Sequence, residues 1–182
     1  HGSVTGNFNV SSVYASLSVA DTKRSRRYLV KEAIQDRLPA SLTLKEVKKQ
    51  IRSRTKKKTK WAIGELRTLE KIFLTKRQDL HKLQGSFAGA FGIPQFVPSS
   101  YQRLAFTTRP DGRPDLNQAD DAILSVANFL KKKGWGIDQK SKENAIYQYN
   151  HSTDYVDAIL ELSRTLKGGD AKDPSGNRSD SA

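Results

Sequence analysis

Apolar residues recur at helical spacing through most of the 182-residue chain. Val10, Val13, Tyr14 and Leu17 fall at i, i+3, i+4 and i+7, which predicts a helix with one buried face. A basic link at Lys23–Arg27 leads to a second helix with Leu29, Ala33 and Ile34 inward, and Pro39 is its stop. Thr43 and Glu46 have the spacing of a capping box. A third helix therefore opens there, with Leu44, Val47 and Ile51 as a sparse stripe. The apolar pattern lapses over Ser53–Lys60, which reads as an exposed, mobile loop, and resumes over 61–76 with Ala62, Leu66, Leu69 and Phe73. Ala119, Ile123, Val126, Ala127 and Leu130 line the clearest helix, residues 119–133, with Lys131–Lys133 in its last turn and Gly134 beyond. A short helix follows over 142–149. Ser152 N-caps a last one carrying Tyr155, Ile159, Leu162 and Leu166. There is no internal repeat and no strand longer than a few residues. The predicted fold class is all-α, or α with a minor hairpin.

The helical pattern breaks at Gly85–Tyr101, GSFAGAFGIPQFVPSSY. Small residues at Gly85, Ser86, Ala88, Gly89, Ala90 and Gly92 let backbones approach closely. Pro94 and Pro98 exclude one long regular helix. Gln95 is a single polar amide between apolar neighbours. The stretch reads as the floor of a cleft, or as a tight helix crossing with a turn.

Composition adds three constraints. Hydrophobic content of 36% and a mean hydropathy of −0.67 are low for one compact domain, so part of the chain is expected outside it. From Gly168 onward there is no aliphatic residue beyond alanine, and 167–182 reads as a disordered tail. The net charge is +13, and residues 45–60 hold nine Lys/Arg against one Glu; the basic character is local. With no cysteine, disulfides and thiolate chemistry are excluded. Three scattered histidines do not make a zinc site. No run approaches a membrane span. The chain starts at His1 without a methionine, which reads as a processed protein or a fragment.

Gly85–Tyr101 closely resembles the core motif of the lytic murein transglycosylases of the membrane-bound B type. The likeness continues through Asp121–Trp135, DAILSVANFLKKKGW, and returns at Tyr149–Tyr155, YNHSTDY. It runs back more weakly to His1 through HGSVTGNFNVSSVYASL and matches poorly over the basic insert at about 45–60. The resemblance implies a lysozyme-like, mainly helical catalytic domain over 1–166. It also implies a reaction without water. One glutamic acid protonates the glycosidic oxygen between N-acetylmuramic acid and N-acetylglucosamine. It then acts as base for the muramic 6-hydroxyl, which closes a 1,6-anhydro ring.

The resemblance places that glutamate about three positions ahead of His1, so the expectation is a chain without its general acid. No other carboxylate is expected to replace it. Glu65 reads as a solvated, salt-bridged helix residue, Asp120 and Asp121 as first-turn caps, and Glu143 and Glu161 as surface positions. Ser86 matches the serine that hydrogen-bonds the catalytic glutamate; on its own it is a small packing residue. Gln95 matches the glutamine that contacts sugar N-acetyl or hydroxyl groups. Tyr101, with Phe96, supplies either a groove wall or core packing. Tyr149 and Asn150 match a Tyr-Asn pair facing the reacting sugar, although Asn150 alone would read as a turn residue.

Relatives of this kind often carry an EF-hand-like calcium loop at the position of Thr107–Asp121. Here Thr107 and Arg109 take the first two ligand places, leaving Asp111, Gly112 and Asp115. A guanidinium beside a dication is unfavourable, so no metal and no cofactor are expected, and the loop is held by its turns and prolines. The expected partners are peptidoglycan strands and, through Lys45–Lys60, an anionic membrane surface. A nucleic-acid partner is not expected, because no aromatic interleaves the basic run and no recognition motif surrounds it. The expected protein is a monomer of the bacterial cell envelope, on the periplasmic side. The alternative is a non-catalytic peptidoglycan-binding module of the same fold.

Overall fold

The computed structural model describes residues 6–35, 42–76 and 80–169. Pro39 and residues 170–182 of the expected tail lie outside them. The described residues form seven α-helices: α1 (Val10–Ser18), α2 (Lys23–Gln35), α3 (Leu44–Lys76), α4 (Pro98–Leu104), α5 (Ala119–Lys132), α6 (Gln139–Tyr149) and α7 (Thr153–Gly169). Two short strands, β1 (Phe8–Asn9) and β2 (Gln84–Gly85), pair antiparallel with Phe8 opposite Gly85 and Asn9 opposite Gln84. The mainly α expectation is met, and the minor strand pair joins distant segments rather than forming a hairpin. The chain divides into two compact units, His1–Val126 and Ala127–Ala182.

In the first unit, α1 and α2 pack along α3, and α4 packs against α3. Asn9 starts α1: its side-chain oxygen accepts the Ser12 N–H at 2.9 Å. Val10 and Tyr14 are fully buried. The capping box forms as expected, with Thr43 N–H donating to Glu46 at 2.8 Å and Glu46 N–H to the Thr43 hydroxyl at 3.3 Å.

The expected loop at Ser53–Lys60 is instead the middle of α3, one helix of 33 residues. Its buried stripe runs Val47, Thr55, Ala62, Glu65, Leu69, Ile72 and Phe73, with half-buried Ile51 and Thr59 between. The apolar pattern lapses because threonines take over the core-facing positions. The Thr55 hydroxyl donates to the Asp21 carboxylate at 2.9 Å, and Thr59 donates to the Leu17 carbonyl at 3.3 Å and accepts from Asp21 N–H at 3.1 Å. A buried hydroxyl with its bonds satisfied substitutes for an apolar side chain.

Helix α2 starts at Lys23, inside the expected link, because the Thr22 hydroxyl accepts the Ser25 N–H at 3.1 Å. Its expected inward residues Leu29 and Ile34 are exposed, and no α2 residue is buried. The α2 anchor is polar: Arg26 donates to Asp21 at 2.6 Å, the carboxylate that also receives Thr55. The buried side of α5 is also rotated from the expected one. Asp121, Ala122 and Ser125 are inside, while Ile123 is 67% exposed. Ser125 is satisfied by the Phe106 backbone, accepting from its N–H at 3.0 Å and donating to its carbonyl at 3.3 Å.

In the second unit α6 packs on α7. Helix α6 begins three residues before the expected start because Asp138 caps it, accepting the Ser141 N–H at 2.9 Å. Ser152 caps α7 as expected, accepting the Tyr155 N–H at 3.3 Å. In α7 Val156 is buried, and Leu162 and Leu166 face solvent. The helix continues through Lys167–Gly169, where tail was expected.

Candidate functional site

The central stretch folds into a short backbone ladder. Phe91 bridges Gly85 on one side and Phe96 on the other. Phe91 and Phe96 exchange N–H···O bonds of 2.9 and 3.1 Å, and both are buried. Phe96 is therefore core, not groove wall. Ser86 follows one rung and Gln95 precedes another, so the ladder fixes both. The tight turn that follows Ser86 depends on Gly89, which has φ +81° and leaves room for the Tyr14 ring. Tyr14 donates its hydroxyl to the Gly89 carbonyl at 3.0 Å and stacks edge-on against Trp61 of α3 at 5.5 Å.

The Ser86 hydroxyl oxygen accepts the N–H groups of Ala88 and Ala90, both at 3.2 Å. Gly6 lies against it: a Cβ there would sit 2.4 Å from the Gly85 carbonyl oxygen and 3.0 Å from the Ser86 Cα. Gln95 is the one non-glycine residue among the described residues with positive φ, +52°, a conformation that costs roughly 1–2 kcal/mol for an L-residue. Its side-chain amide donates to the Gly92 carbonyl at 2.8 Å. Strain of this kind concentrates at functional sites.

Tyr101, on α4, lines two cavities of the first unit. One, of about 620 Å³, is also lined by Ile72, Gln102, Phe106 and Pro114; the other, of about 310 Å³, by Phe73, Leu83, Phe91 and Leu116. The Tyr101 hydroxyl donates to the Pro114 carbonyl at 2.7 Å. Burial, with Asp115 and Asp121 nearby, pushes its pKa up to about 12. It lines both cavities with a phenol that stays protonated.

Glu65 is not solvated: it is 4% exposed. Its carboxylate accepts the Ser99 N–H at 2.8 Å and the Ser99 hydroxyl at 2.6 Å. Ser99 is in the first turn of α4, whose N-cap, Val97, has no capping side chain. Glu65 supplies the missing cap from α3, with its charge at the favourable end of the helix. The sequence signal was its place on the stripe, between Ala62 and Leu69. Tyr14's own burial, and after it the charge of Glu65, push the Tyr14 phenol upward.

The loop Thr107–Asp121 closes on a buried carboxylate. Asp121 is 3% exposed. It accepts the Thr107 hydroxyl at 2.5 Å and the Asp115 N–H at 2.6 Å, and pairs with the Arg109 guanidinium at 2.9 Å. The Thr107 bond, then the Asp115 N–H and Arg109, hold its carboxyl below the usual range against the opposing effect of burial. Asp121 thus ties the loop rather than capping its own helix. Arg109 Nη2 also donates to the Arg113 carbonyl, and Nε reaches the Thr107 hydroxyl at 3.4 Å. Asp120 is exposed, as are the Glu143 partner Gln139 and the Glu161–Arg164 pair.

Tyr149 and Asn150 belong to the second unit. Tyr149 ends α6, stacks on Tyr155 at 6.4 Å and meets Phe129 edge-on at 5.0 Å. Burial and the adjacent Tyr155 raise its pKa. Asn150 is the exposed C-cap of α6, its N–H donating to the Ile146 carbonyl at 3.1 Å.

Two aromatic residues beside Ser86 were not anticipated. Phe87 is 77% exposed, and with Phe8 it lines a shallow cavity of about 280 Å³ that also touches Ser12 and Val13. An aromatic in a stretch of small residues was the available signal.

The family model described as "Transglycosylase SLT domain" matches residues 1–145. Over 72 residues, 40% of this chain and 20% of the relative, the chain is 46% identical to membrane-bound lytic murein transglycosylase B of Escherichia coli (strain K12). The Escherichia coli lytic transglycosylase SLT35 in complex with bulgecin A aligns at 26% identity and a TM-score of 0.58, covering 62% of this chain and 55% of that one. SLT35 in complex with calcium aligns at 22% identity and 0.63, covering 92% and 62%. The soluble lytic transglycosylase SltB1 of Pseudomonas aeruginosa aligns at 19% and 0.61, covering 91% and 65%. The last two are a likeness of fold. The chain thus spans a fifth of its curated relative and just over half of the SLT35–bulgecin A chain.

Proposed function

This chain belongs to the transglycosylase SLT domain family, and we propose that it acts on peptidoglycan as the domain of a lytic transglycosylase over residues 1–166. In this reading the domain cleaves the bond between N-acetylmuramic acid and N-acetylglucosamine and leaves 1,6-anhydro ends. The observation that carries the reading is Gln95, a strained non-glycine residue next to the Phe91–Phe96 rung, in the same unit as the cavity lined by Phe91 and Tyr101. Such a position is retained where the side chain has work to do. Its amide suits a sugar N-acetyl or hydroxyl group.

The general acid of this proposal is a glutamate ahead of His1, in the family's order. Supporting it, Gly6 packs directly on Gly85 and on Ser86, the serine assigned to orient the acid. With its oxygen occupied by two N–H donors, the Ser86 hydroxyl acts on a carboxylate as a donor and favours its charged form. Tyr101 contributes shape rather than a proton. The family resemblance assigns Tyr149 and Asn150 to substrate contact, a role that Asn150→Ala tests. Glu65 is not a substitute acid, because both of its oxygens are committed to Ser99. The same commitment favours the second reading, a glycan-binding module, for residues 1–182 acting alone.

The partners proposed are glycan strands at the groove and an anionic surface at α3. Lys45, Lys49, Arg52, Lys56 and Lys60 recur at i, i+4, i+7, i+11 and i+15 and are exposed, one side of a rigid helix. Among the described residues no helix is long and apolar enough to cross a membrane. The protein is proposed to work as a monomer on the periplasmic side of the envelope. Calcium, which SLT35 holds in one solved structure, does not fit this chain. At about 4 Å from the Arg109 guanidinium a dication would be repelled by about 8 kcal/mol at an effective dielectric constant of about 20.

Purified murein sacculi decide the reaction. A chain extended through the family's glutamate-bearing segment is expected to release 1,6-anhydromuropeptides, read by mass spectrometry, and Gln95→Ala or Asn150→Ala to lower the release. The 182-residue chain is expected to bind sacculi and release none, since general-acid catalysis typically supplies ~10²–10⁴-fold. Anhydro products from the unextended chain would return the acid to Glu65. An extended chain that binds but never cleaves would establish the binding module.

A further inference from the structure

We propose that Arg109 is a built-in cation that closes the Thr107–Asp121 loop in the manner of a metal ion, and so makes the groove wall independent of metal. The inference rests on the loop alone and stands whether or not the groove cleaves glycan.

The loop keeps the first half of the spacing of an EF-hand-like cage; its twelfth residue is Gln118, and the carboxylate that closes it, Asp121, is the fifteenth. Such a cage takes oxygens from alternate positions, a backbone carbonyl at the seventh, and a glycine at the sixth for the sharp turn. Counted from Thr107, the sixth residue is Gly112, with φ +62°, and the seventh is Arg113. The third position, which should bring an oxygen, brings the Arg109 guanidinium instead. That single cation contacts three kinds of oxygen: the Asp121 carboxylate at 2.9 Å, the Arg113 carbonyl, and the Thr107 hydroxyl at 3.4 Å. These come from the end, the middle and the start of the loop, the set a hard dication would gather.

The remaining acidic groups have turned away to local bonds. Asp111 accepts the Arg113 N–H at 3.1 Å, and Asp115 accepts the Asn117 N–H at 3.0 Å and its side-chain amide at 3.2 Å. Among the described residues no three His, Cys, Asp or Glu side chains converge on a metal position. A carboxylate as buried as Asp121 needs a counter-charge, and Arg109 is the guanidinium paired with it.

The clamp matters because the loop is part of the groove. Pro114 receives the Tyr101 hydroxyl. Thr107, Gly112 and Pro114 line the larger cavity beside Tyr101, and Pro114 and Asp115 line the smaller. Holding the loop therefore holds the wall.

The test compares the wild-type chain with Arg109→Gln and Arg109→Asp, each checked for helical content by far-UV circular dichroism. Thermal unfolding is measured in EDTA, millimolar calcium and millimolar magnesium, and amide hydrogen exchange is followed over residues 107–121. Wild-type unfolding is expected to be the same in all three solutions. Arg109→Gln should speed loop exchange roughly tenfold or more, as expected for loss of local protection, with no response to calcium. Arg109→Asp, which restores an oxygen at the third position, should be less stable in EDTA and recover in calcium but not in magnesium. Three results would each overturn the proposal: a wild-type melting temperature raised by calcium alone, loop exchange unchanged in Arg109→Gln, or no calcium response in Arg109→Asp. The wild-type titration decides even if a variant fails to fold.

Discussion

Removing the Glu65 carboxylate tests the grip of α3 on α4. A hydrogen bond to a charged group contributes roughly 1.5–3 kcal/mol net. A negative charge at a helix N-terminus adds about 0.3–1 kcal/mol. The two Ser99 bonds, at 2.8 and 2.6 Å, share one carboxylate, so their contributions do not sum in full. Glu65→Ala is expected to cost about 3 kcal/mol, partly because it strands the Ser99 N–H. Ser99→Ala keeps the N–H bond and should cost about 1.5 kcal/mol. Glu65→Gln keeps the shape and one acceptor and should cost about 1 kcal/mol. The Glu65–Ser99 coupling in a double-mutant cycle should be about 1.5 kcal/mol. In melting temperature the Glu65→Ala loss amounts to roughly 6–12 °C for a chain of this size. The assay is urea unfolding followed by Trp61 fluorescence in a Trp135→Phe background, since Trp61 is one turn from Glu65 and rests on Tyr14. A cost below about 0.5 kcal/mol for Glu65→Ala, with no coupling, would mean a solvated carboxylate and refute the reasoning. In an N-terminally extended, active chain, Glu65→Gln should keep its anhydro product release.

Asp121 gives a pH signature. Its folded carboxyl is held below the ordinary 3.8, so its contribution to stability is present above that value and is lost as pH falls through the lower folded one. Asp121→Asn should flatten the acid limb of a stability–pH curve below about pH 4; an unchanged limb would exclude Asp121 as its source. Limited trypsin should spare the Arg52–Lys60 bonds while α3 is folded, and an early cut there would contradict the Thr55 and Thr59 anchors. Vesicles rich in an anionic phospholipid should co-sediment with the chain, and neutral vesicles should not. Replacing Lys45, Lys49, Lys56 and Lys60 with Gln should abolish this; retained sedimentation would place the contact elsewhere.

The central stretch Gly85–Tyr101 was readable because its residues have unusual types in an unusual order. Ser86, Gln95 and Tyr101 could be named from the motif, and the glycines announced a tight fold. Elsewhere the reading failed wherever the core-facing side chain is polar. Thr55 and Thr59 look like a break in a stripe, yet each completes it through a bond to α1 or to Asp21. Glu65 was assigned to solvent by its charge, and its partner Ser99 is 34 residues away in the chain. Ser125 and Asp121 turn α5 away from the face its aliphatic residues mark. Hydrophobic periodicity records where water is excluded only when burial is apolar. Here buried hydroxyls and carboxylates find partners from distant segments, and no local pattern reports them. The positive charge of Arg109 was readable as an obstacle to a metal. Its use as a clamp needed the position of Asp121.

At about 1.5 Å per residue, the 33 residues of α3 make a rod of about 50 Å. Its first half presents the cations, and its second half holds α4 through Glu65. Lys45 and Glu65 are separated by about 30 Å along the axis. A tilt of about 5° at one of these points moves the other by about 2.6 Å over that length, more than a hydrogen bond tolerates. A load applied at the basic end therefore arrives as a displacement at the Ser99 contact and, two residues further along α4, at Tyr101. Spin labels at Arg54 and Arg103 would read that lever directly, as a distance that changes when an anionic surface is supplied.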